Sequence, residues 1–152
     1  MVDELSEPAH VDPVAYNAFV ASATLREIAT RELHAQRLAT GEVARLDFDL
    51  EAGFVRDGDE VIYRFTTVLH ARAADEVEIV RTRAAVDVVV VSAAHADDDV
   101  VARFGAASAT MIAHPYLRNL VSEGAAKVGL PNALLPLLTN LAPLGAETAS
   151  EA

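Results

Sequence analysis

Cysteine is absent from this 152-residue chain, and lysine occurs once, at Lys127. Without cysteine there are no disulfides and no thiolate metal sites, which fits a reducing compartment. Positive charge is scarce: 12 Lys and Arg against 23 Asp and Glu leave a formal net charge of −11. Such a field repels nucleic-acid phosphates, and no basic run offsets it locally. Long apolar runs are missing as well; none approaches the ~20 residues that a membrane span requires. Residues 1–12 are acidic, without the basic start and apolar block of a secretory signal. The expectation is a cytoplasmic protein that neither inserts in membranes nor binds nucleic acid. Two readings of the acidity stay open: simple solubility, or attraction of a cationic, unfolded polypeptide.

The length fits one domain with a real core. We expect acidic tails at residues 1–12 and 145–152 around a single domain at residues 13–144. Asp12 followed by Pro13 is a helix start, predicting a short helix over residues 13–20. Read locally, residues 21–38 favour a helix through Leu25, Ile28, Ala29 and Leu33. Residues 44–55 alternate as a half-buried strand, with Leu46, Phe48 and Leu50 on one face. Asp57-Gly58 marks a tight hairpin, and Val61, Tyr63, Phe65, Thr67, Leu69 and Ala71 line a second strand. After a turn at residues 74–76, residues 77–91 form a third strand whose phase shifts near Arg83-Ala84, predicting a bulge or bend there. Its end, Val88 to Val91, is apolar on both faces, and should be covered on both sides by helices or another subunit.

Asp97-Asp98-Asp99 begins a helix whose apolar surface is Val100, Val101, Phe104, Ala107, Met111 and Ile112. Pro115 predicts a break or a sharp kink, with a second helix carrying Leu117, Leu120, Val121 and Val128 to a left-handed cap at Gly129. The expected class is α+β: an antiparallel sheet followed by two C-terminal helices separated by a proline break.

Chemistry-bearing patterns are sparse. His10, His34, His70, His95 and His114 are scattered without metal-ligand spacing, so no metal is expected. His114 reads as an N-cap or turn residue. The three aspartates lack the alternating ligands and distal glutamate of an EF-hand and read as a helix start. No Gly-x-Ser-x-Gly elbow or phosphate loop occurs, so neither an enzyme nor a cofactor is expected. The helices and the oily run beyond Gly129 offer more apolar surface than one small sheet can cover, which points to oligomerisation or an exposed binding patch.

Four segments then carry a resemblance: Ala102-Arg103-Phe104-Gly105, His114-Pro115-Tyr116-Leu117-Arg118, Gly129-Leu130-Pro131 and Leu134-Leu135-Pro136. In order and spacing, over residues 20–138, the chain resembles the SecB family of export chaperones, particularly its actinobacterial SecB-like branch. The resemblance implies a four-stranded antiparallel sheet, a long interface helix, a second helix acting as a lid, and a homotetramer built as a dimer of dimers. It would make residues 21–33 the first strand; we follow it over the local helical pattern, because tertiary pairing overrides weak propensity. The implied activity is ATP-independent holding of unfolded preproteins in apolar grooves, without cofactor. As a region, the implied groove is Phe104, Met111, Ile112, Tyr116, Leu130, Leu134, Leu137 and Leu138, with Val89 and Val91 as alternative floor residues. Glu27 takes one place where the family contacts the SecA motor, while Arg31 falls near another and departs from the acidic pattern. A second family role, protecting an aggregation-prone antitoxin, therefore competes with export. The rivals are a small hot-dog thioesterase or cone-type isomerase using Asp47, His70 or Asp87 in a closed pocket, and a purely structural interaction domain.

Overall fold

The structure, a computed structural model, describes residues 11–136 together with the backbone of a two-residue strand, β1 (Asp3–Glu4). The tails expected at 1–12 and 145–152 thus fall almost wholly outside the described residues. Asp12 caps α1 (Pro13–Ser22), its carboxylate accepting the Val14 amide at 3.0 Å, with Pro13 at the first helical position.

Four long strands follow: β2 (Thr24–Arg37), β3 (Arg45–Asp57), β4 (Glu60–Arg72) and β5 (Glu78–Val91). The sheet order is β1-β3-β4-β5-β2, and each pairing is antiparallel. Residues 24–37 are thus a strand despite their local helical pattern. Pairing with β5 along nearly the whole length of β2 supplies what local propensity does not. Gly58, with φ of 61°, turns the β3–β4 hairpin, as its neighbouring Asp57 and Asp59 anticipate.

The bulge expected near Arg83-Ala84 is not there: those residues keep regular register opposite Val68 and Thr67. The irregularities of the β2–β5 pairing fall instead between Leu25 and Glu27 and between Thr30 and Glu32. What changes in β5 is burial. It passes from one-sided to two-sided at Ala84, so the residues from Ala84 to Val90 are all buried. Val88 and Val90 join the core on the helix side. Val89 on the other face is already buried within the single chain, without a second layer of helices among the described residues.

The C-terminal helical run comprises α2 (Asp98–Phe104), a π-helical turn over Gly105–Ala109, and α3 (Thr110–Lys127). Here the expectation of a break at Pro115 is corrected, because Pro115 lies inside α3. Proline removes the donor to the Met111 carbonyl, but both residues are on the exposed side of the helix, where solvent can serve that oxygen. The irregularity sits a turn upstream, where the Thr110 hydroxyl donates to the Gly105 carbonyl at 2.9 Å and the ladder widens.

α3 packs over β5 and β2 and reaches β4, leaving β3 outside its main footprint. The core combines Tyr63, Phe65, Leu69, Val86 and Val88 of the sheet with Val101, Phe104, Leu117 and Val121 of the helices. Tyr63 donates its hydroxyl to the Val101 carbonyl at 2.8 Å, and Phe104 lies edge-on to Phe19 of α1.

Candidate functional site

Antiparallel partners share a face, so Leu46, Phe48, Leu50, Ala52 and Phe54 of β3 follow Ala71, Leu69, Thr67, Phe65 and Tyr63 onto the helix side. Phe54 is buried there, and Phe48 and Ala52 are partly covered. Leu46 and Leu50, beyond the reach of α3, remain 37% and 36% exposed. An apolar row therefore runs along β3 with its helix side incompletely roofed.

The roof at one end is an arm, residues 129–136. α3 ends in a Schellman motif: the Leu130 amide donates to the Ala125 carbonyl at 2.9 Å and the Gly129 amide to Ala126 at 3.1 Å. Gly129 takes φ of 88°, and a Cβ there would lie 2.8 Å from Arg37 Nη2. That guanidinium reaches across from β2 and donates to the carbonyls of Val128 and Gly129. Asn132, with φ of 64°, bends the chain again. Leu130 to Ala133 then border an open depression of about 260 Å³ with Val43 to Leu46 at the start of β3. Further on, the Arg118 Nε–H donates to the Leu135 carbonyl at 2.9 Å, and His114 Nε2 lies 2.8 Å from the Pro136 carbonyl.

The described residues among those expected to form the groove divide three ways. Phe104 is buried among Phe19 and Tyr63 and offers no surface. Ile112 and Leu130 are half-buried against the core, whereas Met111, Tyr116 and Leu134 are each about half exposed. Leu137 and Leu138 lie outside the described residues. The exposed stripe of α3 is apolar at its start, through Met111, Pro115 and Tyr116, and polar at its end, through Asn119, Glu123 and Lys127. The open row on β3 was visible in the sequence only as one face of a strand. Its exposure depends on which strands α3 covers, which no local pattern records.

The opposite face of the sheet is laced with ion pairs. Fully buried Asp87 accepts from Arg64 Nε and Nη2, both at 2.8 Å, and from Arg31 Nε at 2.7 Å. Burial alone would raise its carboxyl pKa; the bonds from Arg64 and then Arg31 outweigh it and set the net direction downward. His70 bridges Glu78 at 2.6 Å and Asp49 at 3.1 Å. Glu78 is brought down to about 2, first by the Arg81 guanidinium and further by His70, against a desolvation that pushes the other way. Glu27 is exposed on β2, and Arg26 beside it pairs with Glu60. Asp47, which pairs with Arg45 and Arg72, His70 and Asp87 thus hold ion pairs on an open face, and none of them lines the depression between β3 and the arm. Among the described residues no helix is long and apolar enough to cross a membrane, and no group of three or more potential ligands gathers as for a metal ion.

No family model matches the chain, and no curated protein matches it in sequence. Among solved structures, the fold is similar to that of the Mycobacterium tuberculosis Rv1957 SecB-like chaperone in complex with a ChAD peptide from the Rv1956 HigA1 antitoxin. The TM-score is 0.73 at 15% sequence identity, over 84% of this chain and 98% of that one. The described architecture is therefore a SecB-like α+β fold, a four-stranded antiparallel sheet with C-terminal helices, to which β1 adds a short edge.

Proposed function

We propose that this SecB-like fold serves a holdase chaperone that binds unfolded or aggregation-prone polypeptides without ATP. The observation that carries the reading is the apolar row of β3, left partly open at Leu46 and Leu50 beside the arm. Exposed apolar surface of that kind, rimmed by polar residues, is the mark of a binding site. At about 25 cal/mol per Å² of buried apolar area, several modest contacts along one chain sum to tight holding with little sequence demand. Met111 and Tyr116 extend the apolar surface along α3. The peptide held by the structural neighbour makes an antitoxin segment a natural client class.

Between the two client roles, an antitoxin partner is favoured over coupling to the SecA motor. The surroundings of Glu27 are mixed in sign rather than acidic, with Arg26 beside it and Arg31 committed to Asp87. Assembly as a homotetramer belongs to the same proposal; the long outer edge of β2 and the exposed apolar residues support self-association. The cytoplasm is the proposed location.

The test is light scattering of a refolding, aggregation-prone client without ATP. Suppression at a few-fold molar excess is expected, and the pair Met111→Asp with Tyr116→Asp should abolish it while leaving circular dichroism unchanged. No suppression by the parent protein would overturn the reading.

A further inference from the structure

Residues 131–136 are held to the body in an unusual way. Among the described residues no backbone–backbone hydrogen bond ties them to a strand or helix. Their anchors are two apolar side chains and two carbonyls. Ala133 and Leu135 are buried, at 2% and 5% exposure, while Leu134 between them is half exposed and Pro136 is exposed. Burial at every second residue is how an extended chain sits on an apolar floor.

The polar anchors are a matched pair. His114 and Arg118 stand one helical turn apart on α3 and reach the carbonyls of two consecutive residues, Pro136 and Leu135. A carbonyl only accepts, so His114 Nε2 carries the proton in this contact. Neither donor touches a side chain of the arm through these bonds. They read main chain, which every polypeptide offers regardless of sequence.

We infer that the arm is a built-in competitor, seated where an extended apolar stretch of a client polypeptide binds, and that Arg118 and His114 hold either chain by its carbonyl oxygens. The inference rests on the holdase reading and supplies its recognition chemistry: small or leucine-sized side chains at alternate positions, with two consecutive carbonyls facing α3. The absence of ladder bonds lets the arm leave without unravelling a strand. The Schellman cap and the Arg37 clamp stop the release from spreading into α3.

Two measurements on the full chain test it. In the first, Ala133→Asp with Leu135→Asp ejects the arm, and a fluorescent peptide of the arm's own sequence, Leu-Pro-Asn-Ala-Leu-Leu-Pro, is titrated by anisotropy. The ejected-arm variant should bind the peptide at least tenfold tighter than the parent does. Adding Arg118→Ala should then weaken binding several-fold, although the native arm is no longer seated. A folded variant that binds no better than the parent, or is indifferent to Arg118→Ala, overturns the inference. Should the double aspartate change disturb the fold, the second measurement decides. The chain lacks tryptophan, so Leu134→Trp places a single reporter on the arm. Saturation with reduced, carboxymethylated ribonuclease A, itself free of tryptophan, should shift the emission to the red as the arm enters water. Binding of that client with unchanged emission overturns the competition. If the parent holds no unfolded chain at all, the holdase reading falls, and the peptide titration still judges the seat by itself.

Discussion

Gly124 of α3 rests directly on Thr82 of β5: a Cβ added at Gly124 would lie 2.9 Å from Thr82 Cγ2 and 3.0 Å from Leu33 Cδ1. The helix can approach the sheet this closely because residue 124 has no side chain. Two effects oppose each other in Gly124→Ala. Helix propensity gains about 1 kcal/mol, and overpacking at a closed contact costs about 1–3 kcal/mol. Thr82 is fully buried and has little room to move, so the packing cost prevails. Chemical denaturation should show a net loss of stability, with Gly124→Ser worse than alanine.

The buried carboxylate of Asp87 gives a second expectation. Its two arginines are each about half exposed, so either can be lost while the other still partners the charge. Arg31→Ala or Arg64→Ala alone should therefore be tolerated better than both together. The double change strands a buried charge and should cost about 3–5 kcal/mol. A double-mutant cycle in urea measures the excess. Strict additivity of the two single losses would contradict the shared-partner geometry.

Acid sensitivity should follow from the same face. Glu78 titrates at about 2 in the folded protein, below its ordinary value of 4.5. Its contribution to stability is complete above the unfolded value and is lost as pH falls from 4.5 towards 2. Asp87, also shifted downward, acts in the same sense. Urea midpoints measured across that window should fall with decreasing pH, and Glu78→Gln should flatten the fall.

What the sequence disclosed, and what it hid, divides along physical lines. Hairpins at Gly58 and after Ala73, the cap at Asp12 and the stop at Gly129 were legible because each depends on a few adjacent residues. β2 was legible only through resemblance, since its strand state depends on β5, more than fifty residues away. The phase change at Arg83-Ala84 was real but meant a second face becoming buried, not an extra residue in the ladder. At the candidate site, Met111, Tyr116 and Leu134 came from the resemblance as part of a region, and each is about half exposed. Phe104 came with the same region, and the resemblance could not tell a buried aromatic from an exposed one. Leu46 and Leu50 were seen as a strand face, and Arg118 and His114 as parts of a helix break. Their roles depend on where the arm returns.

Pro115 supplies a test of that helix. Were it a true boundary, replacing it would permit a longer helix and disturb the chain's path. Because it already sits within continuous α3, Pro115→Ala restores a backbone donor for the Met111 carbonyl and removes the ring's clash with the preceding turn. Stability should rise, by up to about 3 kcal/mol if the helix is otherwise unchanged. Helix content by circular dichroism should change little.

The open row on β3 yields the sharpest separation of binding from folding. Leu46 and Leu50 are more than a third exposed, whereas Phe54 on the same face is buried. Aspartate at either exposed position places its charge beside water, so the desolvation penalty that makes buried charges severe is largely escaped. Leu50→Asp should thus cost under about 1 kcal/mol of stability, in the range of ordinary surface changes, yet interrupt the apolar path of a held chain. Phe54→Ala should do the reverse, losing about 3–5 kcal/mol through a cavity while leaving the exposed row intact. Aggregation suppression and urea midpoints measured on both variants should therefore move in opposite patterns. If Leu50→Asp leaves suppression untouched, the client path does not follow β3, and the seat beneath the arm with the apolar start of α3 must carry it instead.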